Sequence, residues 1–94
     1  MTLPQTPSFR LDGRRAFVPG GSRGIGLGCA VALAEAGAHV VIAARGVDQT
    51  SQAAQAINDS GFSAEAAVLD VSDISAIQSF YEGQEPFDIL CNSA

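Results

Sequence analysis

A glycine-rich turn is the part of this sequence best suited to chemistry. Residues 19–26 read PGGSRGIG, between an apolar stretch and a segment of helical spacing. Glycine allows the positive φ of a tight turn and lets a backbone approach an anion closely, because it has no Cβ. A helix starting directly after the turn adds unpaired N–H groups and a partial positive charge. The segment therefore predicts a pyrophosphate site, with candidate contacts Gly20, Ser22, Arg23, Gly24, Ile25 and Gly26.

Two alternatives to this site are weighed from the residues themselves. A glycine-rich turn can serve only the close packing of a helix on a sheet, although its placement between a strand and a helix favours the anion site. A P-loop is excluded, because a lysine must follow its glycines and the chain contains no lysine.

Arg45 is the candidate that selects between the two nicotinamide dinucleotides. It follows the apolar run 40–44, at the point where a dinucleotide site contacts the adenosine ribose. A carboxylate there binds the 2′-hydroxyl of NAD, whereas a guanidinium binds the 2′-phosphate of NADP. Arg45, with Arg23 as a second candidate, predicts that NADP(H) is preferred over NAD(H). The alternatives are a solvated Arg45 and a loop that folds Asp48 back to restore NAD binding.

Apolar runs of strand length alternate with segments of helical spacing along the chain. The expected strands are 14–18, 40–44, 64–69 and 87–91, and the expected helices are 25–36, 48–58 and 74–81. Asp48 or Thr50 is the candidate N-cap of the second helix. Helical crossovers make the strands parallel and place helices on both faces of the sheet. The fold class is α/β, a doubly wound parallel sheet (Rossmann fold) with its first four strands only.

The two cysteines, Cys29 and Cys91, stand far apart in the sequence and form neither a metal motif nor a disulfide framework. Both occupy apolar positions, where free cysteines pack as small hydrophobic residues. We expect both in the core. Cys29 belongs to a helix face formed by the apolar residues Ile25, Cys29, Ala32, Leu33 and Ala36.

Four motifs in this order resemble those of the short-chain dehydrogenase/reductase family. They are FRLDGR at 9–14, GGSRGIG at 20–26, LDVSD at 69–73 and LCNSA at 90–94. The resemblance covers the chain from Phe9 onward. It implies the N-terminal, cofactor-binding portion of an NAD(P)-dependent oxidoreductase, acting on a small carbonyl or alcohol substrate.

The resemblance also assigns cofactor contacts beyond the glycine turn. It places Asp70 on the adenine side of the cofactor, and the further candidate contacts are Val71, Asn92, Ser93 and Ala94. As alternatives, Asp70 could serve as a strand-end or helix-cap carboxylate, and Asn92 could bind backbone across the sheet. Two positions depart from the family pattern. Pro19 replaces the usual Thr and so removes a backbone donor, and Ser93 replaces the second Asn of its motif.

The catalytic pair that the resemblance implies, a Tyr with a Lys four residues later, is not in this sequence. The single tyrosine, Tyr81, has Glu85 at that spacing. No catalytic residue is therefore assigned. Two further interpretations stay open: a non-catalytic dinucleotide-binding module completed by a partner, and a methyltransferase-like fold. The second is disfavoured, because it needs an acidic residue where Ala44 and Arg45 stand.

Composition and charge narrow the class of protein and its possible partners. The 94 residues are 47% hydrophobic, which indicates one globular domain, and the net charge of −5 argues against nucleic acid or an anionic membrane as a partner. No segment suits a membrane span or a signal peptide, so we expect a cytoplasmic protein. Residues 1–13 are interpreted as an N-terminal arm and 14–94 as a partial Rossmann domain. Its unpaired fourth strand predicts a longer protein, which would form a homo-oligomer at full length.

Overall fold

Strands and helices alternate along the chain in the computed structural model, which describes residues 3, 10–70 and 72–93. The elements are β1 (Arg15–Pro19), α1 (Gly24–Glu35), β2 (His39–Ala44), α2 (Val47–Asp59), β3 (Ser63–Val68), α3 (Ile74–Glu82) and β4 (Ile89–Leu90). All but the last lie within one residue of the predicted bounds. None of the helices in the described ranges is long and apolar enough to cross a membrane.

The four strands form one parallel sheet in the order β3-β2-β1-β4. Arg15 pairs with His39, and His39 with Ser63, so the first three strands begin together at one edge of the sheet. Their carboxyl ends therefore meet at the opposite edge, where an open α/β sheet builds its ligand crevice. The predicted Rossmann-type fold is confirmed.

Helices cover both faces of the sheet, because successive strand residues point to opposite sides. One face packs β1, β2 and β3 against α1 and α2, through Ala16, Val18, Ala30, Ala34, Val40, Ile42, Ala53, Ala54, Ile57 and Ala64. The other face packs Phe17, Val41, Ala43 and Leu69 against Ala76, Ile77 and Phe80 of α3. The sheet is thus doubly wound, as the sequence predicts.

The fourth strand is shorter than predicted, and the expectation of a strand over 87–91 is wrong. The backbone N–H of Arg15 donates to the Asp88 carboxylate (2.9 Å), so a side chain replaces a ladder bond at the start of the strand. Phe87 instead stacks on the ring of Phe17, with 5.2 Å between the ring centroids. Only Ile89 and Leu90 keep strand geometry.

The face of α1 that meets the sheet differs from the predicted one. Gly26, Ala30 and Ala34 are buried, whereas Ile25 is 84% exposed. Apolar residues occur all around this helix, so their spacing does not single out one face. The smallest side chains decide it, because they let the helix approach the strands most closely.

The predicted N-cap of α2 is also wrong, because Gly46 takes that position. Asp48 lies inside the first turn, where its carboxylate interacts favourably with the helix dipole. The Thr50 side chain is fully buried, and its Oγ1 donates a hydrogen bond back to the carbonyl of Gly46. Asp73 caps α3 and accepts a hydrogen bond from the N–H of Ala76 (3.1 Å).

Replacing the cap of α3 should lower stability without touching the sheet. Asp73→Ala leaves the N–H of Ala76 without its acceptor, and we expect a loss of about 1 kcal/mol in the free energy of unfolding. Urea unfolding monitored by circular dichroism measures this. Asp73→Asn is the matched control, because asparagine caps helices equally well. Equal losses in both variants would contradict a capping role.

Candidate functional site

A cleft of about 1100 Å³ opens at the carboxyl ends of the strands. This volume slightly exceeds the range of roughly 300–1000 Å³ that is typical for small-molecule sites. The cleft lies between the turn after β1, the turn after β2 and the chain that follows β3 and β4. Its walls are Gly20, Ser22, Arg23, Gly24, Ile25, Gly26, Ala43, Ala44, Arg45, Gly46, Gln49, Leu69, Asp70, Ser72, Asn92 and Ser93.

The turn between β1 and α1 depends on its glycines. Gly20 and Gly24 adopt φ values of +79° and +61°, a region that side chains strongly disfavour. The N–H of Gly20 donates to the carbonyl of Ala43 (2.7 Å), which ties the turn to the end of β2. A Cβ at Gly26 would overlap the carbonyl oxygen of Gly20 and the Oγ of Ser93. The bare backbone at Gly26 is therefore a steric requirement of the fold.

The N-terminus of α1 faces this turn, and within the described part of the chain its N-cap residue provides no side-chain hydrogen bond to the helix amides. Arg23 is the N-cap and makes no capping hydrogen bond, and no acidic residue stands in the first turn. The first N–H groups of a helix have no partner within the helix, and they carry a partial positive charge. At α3, by contrast, the Asp73 carboxylate takes one of these donors. The end of α1 is thus available to an anion from the cleft.

Two charged groups lie near one another where the cleft passes the ends of β2 and β3. Asp70 accepts hydrogen bonds from the Oγ (2.7 Å) and the N–H (3.0 Å) of Ser72. The hydrogen bond from the Ser72 Oγ makes the largest contribution to lowering the pKa of Asp70, and the bond from the Ser72 N–H adds to it. The positive charge of Arg45 lowers this pKa further. The cleft therefore combines an ionised carboxylate with the exposed Arg45.

On the far side of the cleft, Ser93 joins the chain after β4 to the end of β1. Both its N–H (3.2 Å) and its Oγ (3.1 Å) donate to the carbonyl of Pro19. Pro19 is buried and is the last residue of β1, where a missing N–H interrupts the sheet least. Pro19 and Ser93, the two residues that depart from the family pattern, are thus in direct contact. Neighbouring Asn92 also lines the cleft.

Comparison with known proteins agrees with this architecture. The sequence profile described as short chain dehydrogenase matches residues 14–94. The chain belongs to the short-chain dehydrogenase family. Galactitol 2-dehydrogenase of Rhizobium johnstonii is 44% identical over 90 residues, which are 92% of this chain and 35% of that protein. The chain thus spans about a third of the length of this curated relative.

Solved structures of short-chain dehydrogenases superpose on the chain. A gluconate 5-dehydrogenase from Burkholderia cenocepacia, in complex with NADP and tartrate, has 45% identity and a TM-score of 0.80. The alignment covers 93% of this chain and 36% of that one. Pseudomonas aeruginosa RhlG, an NADP active-site complex, has 38% identity and a TM-score of 0.82, covering 96% of this chain and 38% of its own.

Every predicted site residue that the structure describes lines the cleft. Val71 and Ala94 lie outside the described residues. Contact of these residues with a cofactor stays a prediction. The helix-cap alternative for Asp70 is wrong, because Asp73 caps α3.

Six lining residues were not predicted. They are Ala43, Ala44, Gly46, Gln49, Leu69 and Ser72. Most of these residues are sequence neighbours of predicted site residues at the ends of β2 and β3. The predicted ends of these strands could therefore have indicated them as lining residues. Gln49 is different: it is three residues beyond the N-cap Gly46, and only the start of α2 brings it to the cleft.

The pKa of Asp70 offers a local test of this part of the cleft. Ser72→Ala removes the Oγ donor, so we expect the pKa of Asp70 to rise toward its ordinary value of 3.8. A lowered pKa stabilises the folded state above the ordinary value, and this stabilisation is lost as the pH falls through the folded-state pKa. As the pH falls, the Ser72→Ala variant should lose the stabilisation by ionised Asp70 at a higher pH than the unmodified protein does.

Carboxyl carbon NMR during an acid titration measures this shift. Ser60→Ala is the control, since the Oγ of Ser60 donates only to the carbonyl of Ala56. An unchanged Asp70 titration in Ser72→Ala would show that the hydrogen bond does not set the pKa.

Proposed function

We propose that this chain is the NADP(H)-binding part of an oxidoreductase that transfers hydride between the nicotinamide and a carbonyl or alcohol substrate. One observation carries the proposal: a glycine turn, an uncapped helix N-terminus and an exposed arginine line the same cleft. These are the groups that a pyrophosphate and a 2′-phosphate each require.

The pyrophosphate is assigned to the turn around Gly20 and Gly24 and to the start of α1. The unpaired N–H groups there are fixed in place by the fold, so they need no rearrangement to meet an anion. Ile25 supports the same placement. An apolar side chain that is 84% exposed is unfavourable in water, and a cofactor in the cleft would cover it.

The 2′-phosphate is assigned to Arg45. A guanidinium binds phosphate through paired, charge-assisted hydrogen bonds, and Arg23 lines the same cleft as a second cation. Asp48, the residue that could have restored NAD binding, is not part of the cleft wall and lies inside the first turn of α2. Two of the solved structures that superpose on this chain are complexes with NADP, which supports this choice.

The hydride-transfer step requires residues that this chain does not contain. Tyr81 lies in α3 and lines a separate cavity together with Phe87 and Leu90, away from the dinucleotide cleft. When bound, NADP(H) would supply or accept the hydride. This chain's residues would hold its adenosine and pyrophosphate. For the protein at its natural length, we propose an oxidoreductase that is cytoplasmic and homo-oligomeric.

Titration with NADPH and NADH tests the binding proposal. Calorimetry on the protein at its natural length should give saturable binding of NADPH and weaker binding of NADH. Equal affinities would contradict the assignment of Arg45, and an absence of binding would contradict the proposal as a whole.

A substrate panel separates the enzyme from the non-catalytic module. The relatives named galactitol 2-dehydrogenase and gluconate 5-dehydrogenase suggest polyols and sugar acids, together with their keto forms, as the first compounds to test. Absorbance at 340 nm follows NADPH directly. Binding without turnover across the panel would favour the non-catalytic module.

A further inference from the structure

A serine, a histidine and a glutamate lie together where β2 and β3 begin, at the edge of the sheet opposite the dinucleotide cleft. The Nδ1 atom of His39 is 2.5 Å from the Oγ of Ser63, and its Nε2 atom is 3.7 Å from the Glu65 carboxylate. We propose that Ser63 is a nucleophile, activated by His39, that takes the acyl group of small activated esters. Because the site lies apart from the cleft, this acyl transfer does not depend on the proposed function.

The pairing of the strands brings the three side chains to one face of the sheet. His39 pairs with Ser63 in the parallel register of β2 and β3. Glu65 is two residues after Ser63, and residues two apart in a strand point to the same face. His39 shares this face with Val41, which packs towards α3. Strand register, and not a flexible loop, therefore sets the arrangement.

A side chain of α2 holds the backbone of β3 at this site. The Asn58 amide donates to the carbonyl of Ala64 and accepts from its N–H, each at 2.9 Å. Ala64 is buried and stands between Ser63 and Glu65, so these bonds fix the chain that carries both. A nucleophile on a rigid element is already positioned for attack.

The neighbour of His39 on β1, Arg15, is engaged elsewhere. Arg15 pairs with His39 in the register of β1 and β2. Its guanidinium donates to Gln84 (2.7 Å) and lies over the ring of Phe87, 4.9 Å from the ring centroid. Arg15 is thus directed towards β4, and the imidazole meets its partners on β3.

The charge of Glu65 favours the tautomer of His39 that activates Ser63. An ionised carboxylate has no proton to donate, so it attracts the proton of the neutral imidazole to Nε2. At 3.7 Å the two groups are too far apart for a hydrogen bond, and the attraction acts through charge. Nδ1 is then an acceptor, and the Oγ–H of Ser63 donates to it. A general base requires this arrangement.

Acyl transfer follows from this hydrogen bond. The Ser63 Oγ attacks the ester carbonyl as its proton passes to Nδ1 of His39, the bond from the carbonyl carbon to the leaving-group oxygen breaks, and an acyl-serine forms. The Glu65 carboxylate stabilises the imidazolium while it exists. The leaving group departs as an anion and the imidazolium releases its proton to water, so atoms and charge balance.

The exposure of the site selects its substrate class. Ser63 and Glu65 are exposed and His39 is half-buried, so an ester approaches directly from solvent. A leaving group that is stable as an anion departs without a further acid, whereas a basic alkoxide requires one. The expected substrates are therefore small activated esters such as aryl esters.

Treatment with p-nitrophenyl acetate tests the nucleophile on the protein at its natural length. Peptide mass spectrometry over time locates the acetyl group in the tryptic peptide that begins at Gly46, which contains Ser60 and Ser63. Ser60 is the internal reference, because it is also exposed but its Oγ donates to the carbonyl of Ala56. We expect Ser63 to react about a hundredfold faster than Ser60, within the range of general-base catalysis. Equal rates at the two serines would overturn the proposal.

Substitution of the base separates activation from exposure. His39→Gln keeps a polar side chain at the start of β2 and should slow acetylation of Ser63 about a hundredfold, with the rate at Ser60 unchanged. Glu65→Gln should slow it by about twofold to fivefold, the contribution of an exposed charge pair. An unchanged Ser63 rate in His39→Gln would show that exposure alone makes this hydroxyl react, against the proposal.

Nitrogen NMR of the His39 ring tests the tautomer directly. We expect the proton of the neutral ring on Nε2 in the unmodified protein, and a smaller share of this tautomer in Glu65→Gln. A purely structural contact between the strands would not require that change. A proton on Nδ1 in the unmodified protein would make Ser63 the acceptor and would contradict its activation by His39.

Discussion

Gly26→Ala should abolish measurable dinucleotide binding and lower the free energy of unfolding by about 1–3 kcal/mol, the usual cost of overpacking. The new Cβ would overlap the carbonyl oxygen of Gly20 and the Oγ of Ser93. Neither atom can move away easily. The Gly20 oxygen belongs to the backbone, and Ser93 is held by two hydrogen bonds to the carbonyl of Pro19. The start of α1 must move away from the turn, and the anion site is lost with it.

Gly28→Ala is the matched control for this substitution. It places the same methyl group in the same helix, but a Cβ at Gly28 meets nothing within 4 Å. Alanine is favoured over glycine inside a helix by roughly 0.5–1 kcal/mol, so this variant should be slightly more stable and bind NADPH unchanged. Urea unfolding and calorimetric titration measure both quantities. Equal NADPH affinities in the two variants would contradict the close packing assigned to Gly26.

Arg45→Glu should reverse the preference between the two dinucleotides. The carboxylate would repel a 2′-phosphate and could accept hydrogen bonds from the ribose hydroxyls of NADH. A hydrogen bond to a charged group contributes roughly 1.5–3 kcal/mol, so we expect NADPH affinity to fall by about 10- to 150-fold. NADH affinity should hold or rise. The ratio of the two dissociation constants is the quantity to measure.

Arg14→Glu controls for the change in net charge. Arg14 precedes β1 at the opposite edge of the sheet, and its guanidinium lies 3.8 Å from the Asp88 carboxylate. Reversal at this exposed position should leave the ratio of NADPH to NADH affinity unchanged. If Arg14→Glu and Arg45→Glu altered the ratio equally, the effect would come from overall charge and not from a contact with the 2′-phosphate.

Local signals in the sequence were enough to predict the sheet, most element bounds and the lining of the cleft. Turn glycines mark where β1 ends, and the run from Val40 to Ala44 has no polar residue, as a strand buried on both faces requires. Once parallel strands are inferred, their carboxyl ends must meet. The residues after each strand, such as Arg45 and Asp70, are then placed together by topology alone.

Features that depend on tertiary contacts could not be predicted in this way. The buried face of α1 follows from how closely Gly26 approaches Gly20 and Ser93, which the spacing of apolar residues does not report. His39 has no acidic neighbour in the sequence, yet the pairing of β2 with β3 brings Glu65 to 3.7 Å and Ser63 to 2.5 Å from its ring nitrogens.

The most direct test of the central claim is an amide NMR titration with NADPH. We expect the largest shifts at Gly20, Gly24 and Gly26, at Arg45 and at Asp70, with little change around Tyr81 and the separate cavity beside it. Adenosine 2′,5′-bisphosphate should reproduce the shift at Arg45, and 5′-AMP should not. Shifts confined to the Tyr81 cavity, or none at all, would contradict the assignment of this cleft to a nicotinamide dinucleotide.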